Sequence, residues 1–290
     1  MLKGILLSLG ANILFGAGYY FAVLLRPLAD MDMFGFRILV LIPFILLAIV
    51  LFNQQRAFYD LLQKIRQKPA LVGIILLLSI NTGFQLWLFL WAPNNGQAIP
   101  VSIGYLLLPI VTVTFGKLVF KEYFSPLKWA SLAFAAVGVA INIFLAESIS
   151  WATFVVGFGY AIYITLRRYF HINTLATFFV ELLICLPVAL FYVAQVELAP
   201  MVEQNNLLYF YLALLGLVNG IAFIMYINSS NILPVNILGM LGYVEPLVMF
   251  LISFMIGESL EPKSYILMVC LAFSIALLSL DGFRRRRYSR

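Results

Sequence analysis

The feature that most constrains this chain is a near-continuous succession of apolar runs, each roughly 17–25 residues long, joined by short connections. A run of that length crosses about 30 Å of hydrocarbon as a helix. Of the 290 residues, 64% are hydrophobic and only 10% are charged; a soluble domain carries about 25% charged residues. A buried core does not absorb such an excess, because much of a soluble surface must still meet water. A soluble enzyme built on buried helices would also need polar stretches between the runs, and there are almost none. The predicted fold class is an all-α polytopic membrane protein with ten transmembrane helices. They fall at about 4–25, 33–52, 70–91, 97–120, 127–145, 149–167, 173–195, 207–227, 233–256 and 264–281. The first run follows a single Lys3 and lacks an A-x-A-like cleavage site, so it reads as a spanning helix, not a cleaved signal.

The basic residues predict orientation. With the N-terminus in the cytoplasm, the cytoplasmic ends and loops collect Lys3, Arg56, Lys64, Arg66, Lys68, Lys117, Lys121, Lys128, Arg167, Arg168, Arg284, Arg285, Arg286, Arg287 and Arg290. The other side collects Arg26, Arg37 and Lys263, a division of 15 against 3. This is the bias of the positive-inside rule. Asp30, Asp32, Glu147, Glu197, Glu203, Glu258 and Glu261 fall mostly outside. An even number of spans puts both termini in the cytoplasm, at a bacterial-type inner membrane. The formal net charge of +6 is thereby a matter of topology, with no nucleic-acid partner implied. The run from Arg284 to Arg287 reads as an anchor to anionic membrane lipid. The longest connection, 53–69, is too short for a soluble domain. Cys185 and Cys270 lie in apolar runs and read as small buried hydrophobes.

The fourth and ninth runs resemble each other. The fourth, from Pro100 to Glu122, and the ninth, from Pro234 to Glu258, both open with Pro-Val, contain Gly-Tyr and a later Pro, and finish at a Glu. Pro126 and Pro262 follow them. The offset implies five helices per half, with a first repeat over 1–146 and a second over 147–290. Five is odd, so the second half enters the membrane from the opposite side. Such 5+5 inverted repeats are a common transporter plan, with the substrate site near the repeat interface.

Two acids lie inside predicted spans, Glu181 and Glu245. Charge within a bilayer is expensive, which makes each a functional candidate. Each can serve as a proton relay or as a contact for a cationic group; each can also be a packing residue bonded to a neighbouring helix. Arg37 has the same choice: it can hold a substrate carboxylate, pair with a buried acid, or snorkel to the outer headgroups, the structural role being preferred. His171 reads as an interface residue. Pro109 and Pro246 mark expected helix breaks, since proline removes a backbone bond and clashes one turn back. The freed carbonyls of Tyr105 and Gly242 are tolerated only beside protein or a water-filled cavity. Gly104 and Gly242 are expected close-packing points between helices. Tyr105 and Tyr243 are cavity-lining candidates. Trp87 and Trp91 can stack on an aromatic substrate, and Trp91 can equally mark the interface.

No Cys/His metal cluster, phosphate-binding loop or dinucleotide fingerprint occurs, and one histidine cannot form a two-histidine zinc motif. No nucleophile stands with a histidine base. The expectation is therefore a non-enzyme without cofactor or metal, using an existing gradient.

Trp91-Ala92-Pro93-Asn94-Asn95 followed by Ser102-Ile103-Gly104-Tyr105 and Pro109, then Phe158-Gly159-Tyr160 with Arg167-Arg168, then Gly239, Tyr243, Pro246 and Gly257-Glu258, resemble in order the EamA-type branch of the drug/metabolite transporter superfamily, and within it the RarD-type group. The resemblance covers nearly the whole chain. It departs from the pattern at Phe36, where histidine is expected before Arg37; at Thr82, where tryptophan is expected after Asn81; and at Glu245, an acid directly before Pro246. The resemblance implies ten helices, cytoplasmic termini, a central cavity, and movement of small amphipathic metabolites or drugs, with export as the expected direction. Protons are a candidate coupling ion. Uptake of metabolites is the alternative; a lipid enzyme, a scaffold or a channel are further rivals. Substrate identity and oligomeric state stay open.

Overall fold

The structure is a computed structural model describing residues 2–121, 124–145, 150–233, 235–259, 262 and 264–288. The expectations placed on Glu122, Glu147, Pro234, Glu261, Lys263 and Arg290 lie outside the described residues, as do those on the side chains of Arg284 to Arg287. Among the described residues every regular element is helical. In chain order they are α1 (Leu2–Gly18), α2 (Phe21–Leu24), α3 (Asp30–Leu51), α4 (Arg56–Gln67), α5 (Leu71–Trp91), a 3-10 turn (Ala92–Asn94), α6 (Ala98–Phe120) and α7 (Pro126–Leu145). There follow α8 (Trp151–Tyr169), α9 (Leu175–Val193), α10 (Leu198–Gln204), α11 (Leu208–Ile232), α12 (Val235–Leu241), α13 (Val244–Met255) and α14 (Ser264–Tyr288).

Seven helical stretches among the described residues are long and apolar enough to cross a membrane: Leu2–Leu24, Asp30–Leu51, Leu71–Asn94, Ala98–Phe120, Leu175–Val193, Leu208–Ile232 and Ile237–Met255. Helices α7, α8 and α14, of 20, 19 and 25 residues, occupy the other predicted span positions. Two helix starts are fixed locally. The Ser150 hydroxyl accepts from Ala152 N at 3.2 Å, and the Thr174 hydroxyl accepts from Thr177 N at 3.2 Å. Each satisfies an N–H that the first turn leaves without an internal partner.

Packing pairs helices that are remote in sequence. Helix α6 lies along α8, α1 along α11, α3 along α9, and α7 along α14; α11 also packs on α3, α5 on α9, and α13 on α1 and α6. The close approach of α6 and α8 depends on Gly104: a Cβ there would stand 2.7 Å from the Thr153 carbonyl oxygen.

The two prolines behave differently. Pro109 lies inside an unbroken α6. In the second half the chain turns at Gly242 and Tyr243, and Pro246 sits in the first turn of α13. A first-turn proline costs nothing, because its missing N–H would have had no helical partner. The helix break thus belongs to Gly242-Tyr243, while α6, at the corresponding place in the first half, runs unbroken. The sequence reading also did not resolve the turn between α1 and α2, or that 53–69 is largely helical. In α4, Leu61 is buried with Ile65 packed in the same cluster, while Phe58 packs on Phe179 of α9.

Candidate functional site

A cavity of about 90 Å³ lies between the helices. Its walls come from α1 (Asn12, Phe15), α3 (Arg37), α5 (Phe89), α6 (Tyr105, Pro109, Thr112) and α8 (Tyr160, Tyr163, Arg167), together with α11 (Phe223, Tyr226, Ser230), α12 (Leu238, Gly239) and Glu245 at the start of α13. Seven of the lining residues are aromatic, so the cavity offers ring faces and phenol hydroxyls beside the aliphatic Leu108, Ile164, Ile227 and Leu238.

One end of the bundle is basic. Arg168 packs over the Phe120 ring there, and Lys64 Nζ donates to the His171 carbonyl at 2.5 Å. The cavity runs toward this end, where half-buried Asn173 and Ser230 line it and Asn173 Nδ2 donates to Ser230 Oγ at 2.8 Å. Toward the opposite end it stops at Arg37, Phe89 and Tyr105. Beyond them Tyr19, Leu25, Leu28, Met33, Leu90, Ala98 and Val101 form one buried cluster.

Arg37 does not reach for headgroups. It is 2% exposed, its Nη1 donates to Leu86 O at 2.9 Å, its Nη2 to Asn219 Oδ1 at 2.5 Å, and its guanidinium lies 4.7 Å above the Phe89 ring. The polar partner Asn219, in the apolar α11, fixes this inward course; burial of an arginine stem without such acceptors would leave its donors unpaired. Arg37 and Glu245 line the same cavity. The Glu245 carboxyl, half-buried, lines the cavity and makes no hydrogen bond among the described residues.

Glu181 is placed differently. It is fully buried and accepts from Thr82 Oγ1 and Tyr163 OH, each at 2.8 Å, with Arg167 Nη1 at 3.7 Å from its other oxygen. Arg167 also donates to Tyr163 OH and, at 2.7 Å, to Thr174 O. Arg167, counted above among the residues at the cytoplasmic edge, is thus 2% exposed and engaged with an acid. Glu181 does not itself line the cavity; Tyr163 and Arg167 stand between.

Of the other candidates, Tyr105, Pro109 and Gly242 line the cavity. Tyr243 does not: it is buried with Ile103, Leu107 and Phe250 on the far side of α12–α13. Nor does Trp87, whose ring stacks in a ladder with Phe84 at 5.2 Å and Trp91 at 5.3 Å; Trp91 in turn meets Trp151 at 5.6 Å. Pro246 is buried away from the cavity. Asn12, Tyr160 and Tyr226 also line the cavity, and Asn219 stands behind it on Arg37, although no sequence motif marks them as site residues. A polar residue inside an apolar run was their available signal.

A protein-family model described as the EamA-like transporter family matches residues 2–144 and again 147–280. The chain belongs to the EamA-like transporter family. An uncharacterized transporter of Pasteurella multocida is 46% identical over 290 residues, covering 99% of this chain and all of that protein. The chloramphenicol-sensitive protein RarD of Pseudomonas aeruginosa is 30% identical over 289 residues, covering 98% of this chain and 96% of RarD. A solved crystal structure shares the fold with a TM-score of 0.64 and 13% identity, covering 98% of this chain and 99% of that one. This EamA-family chain is therefore a multi-pass membrane protein whose relatives are named as transporters.

Proposed function

We propose that this chain is a secondary transporter of small amphipathic molecules, with export as its direction and Glu245 as the residue that exchanges a proton or holds a cationic group. The observation that carries the reading is the cavity. It draws walls from both parts of the chain, ends against a packed cluster on one side, runs to the basic end on the other, and contains a carboxyl that no described side chain bonds. A ligand in such a place meets aromatic faces, the Glu245 carboxyl and the side chains of Arg37 and Arg167, which suits a molecule with an apolar body and a polar tip.

The proposed architecture is ten spans in two inverted halves, 1–146 and 147–290. In its favour, the main packing pairs repeat when each span is exchanged for the one five later. The pair α6–α8 becomes α1 with α12–α13, α1–α11 becomes α5–α8, and α3–α11 becomes α5–α9; α3–α9, α7–α14 and α6–α13 map onto themselves. The proposed orientation puts the basic end in the cytoplasm, on the strength of the Lys and Arg distribution. The cavity would then face the cytoplasm.

The test is reconstitution in proteoliposomes, with uptake of a labelled metabolite mixture measured with and without an imposed pH gradient. Chloramphenicol belongs in the panel because of the name the Pseudomonas relative carries. Saturable flux with counterflow supports a carrier. Flux without saturation or counterflow indicates a channel, and no flux for any probe removes the transport reading in favour of a lipid enzyme or scaffold.

A further inference from the structure

At the end of the bundle away from the cavity mouth, one carboxylate ties the two parts of the chain together. Glu258 follows α13, after Gly257 turns the chain at φ +94°. Its two oxygens accept from Ala98 N at 2.9 Å and Ile99 N at 2.8 Å, the first two N–H groups of α6. An acid at this position has two physical advantages. The N–H groups of a first turn have no partner inside the helix, and the helix dipole favours negative charge there. Charge-assisted bonds of this kind are the stronger sort.

We propose that Glu258 is the latch of an outer gate, holding the end beyond the cavity shut while the cavity faces the basic end. The inference rests on the transport reading above and adds a residue outside the cavity to it. Two further contacts and the packing behind them support it. Ala98, whose N–H is held by Glu258, has its carbonyl held by Tyr19 OH at 3.2 Å, so α1, α6 and the α13 end meet at one residue. One turn in, Ser102 Oγ stands 3.5 Å from Ser253 Oγ, again α6 against α13. Directly behind this seam lies the buried cluster that closes the cavity. The latch sits at the rim, where Glu258 is half-buried. When it opens, water can take over both the carboxylate and the two N–H groups, so release exchanges bonds without stranding them. A reversible gate needs that property; the deeply buried Glu181 pair lacks it.

The experiment uses the full chain in membrane vesicles, with Cys185→Ala and Cys270→Ala as background and a membrane-impermeant maleimide as probe. Val101→Cys reports the gate, since Val101 is fully buried behind the latch. Ser230→Cys reports the cavity mouth. Adding Glu258→Ala removes both bonds and is expected to raise labelling of Val101→Cys from the outer side about tenfold. Labelling of Ser230→Cys from the other side should fall. Glu258→Gln keeps one acceptor oxygen and should give a smaller change in the same directions, and Glu258→Asp should restore most of the wild-type pattern. The Gln variant carries the test if the Ala variant does not fold. Unchanged labelling at Val101→Cys, or a rise at both sites together, overturns the latch, since general loosening exposes both. If Ser230→Cys without any Glu258 change labels from the outer side, the proposed orientation is wrong, while the reciprocal change still reads the latch with the sides exchanged.

Discussion

Arg37 and Asn219, 182 residues apart in the chain, meet in the interior through a bond from Nη2 to Oδ1 of 2.5 Å. Asn219 is itself oriented by donating its Nδ2 to Leu215 O at 3.0 Å. The amide therefore presents its oxygen to the arginine and spends its nitrogen on its own helix. This one contact joins α3 to α11 beneath the cavity.

Loss of that acceptor should be felt as instability. Asn219→Leu removes the Oδ1 acceptor and leaves a buried guanidinium N–H unpaired, a cost of about 1–3 kcal/mol. Asn219→Asp keeps an oxygen at the same place and should be tolerated better. Thermal unfolding in detergent, read for both variants, checks this; equal melting temperatures for Asn219→Leu and wild type would remove the contact from the account.

Glu181 and Arg167 form a buried ion pair that also engages Thr82 and Tyr163. Removing one member strands the other, at about 3–5 kcal/mol, whereas replacing both with apolar residues is often close to neutral. Glu181→Leu and Arg167→Met should each destabilise strongly, and the double variant should recover most of the loss. Additive losses in the double variant would mean that the two residues act independently.

Two glycines separate a close approach from ordinary packing. A Cβ at Gly104 would stand 2.7 Å from Thr153 O, while at Gly239 the nearest atom is Val113 Cγ2 at 3.5 Å, an ordinary contact. Gly104→Ala must push α6 from α8 and should cost about 1–3 kcal/mol. Gly239→Ala should stay within about 0.5 kcal/mol of wild type, helped by the better helix propensity of alanine. The comparison is made by stability in detergent, and similar effects at the two positions would contradict the tight α6–α8 approach.

Glu245→Gln keeps the shape and most hydrogen-bonding capacity of the side chain and removes the titratable carboxyl. In proteoliposomes at matched protein density the variant should lose the response of uptake to an imposed pH gradient. Counterflow should survive if the carboxyl only exchanges protons and should weaken if it holds a cationic group. Equal pH-driven uptake by wild type and variant would leave Glu245 a packing residue.

Reporter fusions test orientation. Fusions after Asp281 and within 53–69 are expected in the cytoplasm, and fusions near Asn94 and Glu203 outside. An external reporter after Asp281 while fusions within 53–69 stay cytoplasmic would overturn both the even number of spans and the inverted symmetry.

The sequence by itself determined where the membrane-crossing candidates lie, because apolar run length is a one-dimensional property. It also determined the family, through Gly104, Tyr105, Pro109, Gly239 and their order. The rotation of each helix was not legible. These helices are apolar on nearly every side, as helices facing lipid outside and protein inside must be, so no polar stripe marks the inward face. Only the tertiary structure separated Glu245, which lines the cavity, from Glu181, which is locked among Thr82, Tyr163 and Arg167. It likewise turned Arg37 inward onto Asn219 and Phe89, and placed Tyr243 in the core while Tyr105 faced the cavity. A residue's partner across 182 positions is fixed by how helices rotate and pack, and side-chain phase is set by those contacts and not by any local pattern.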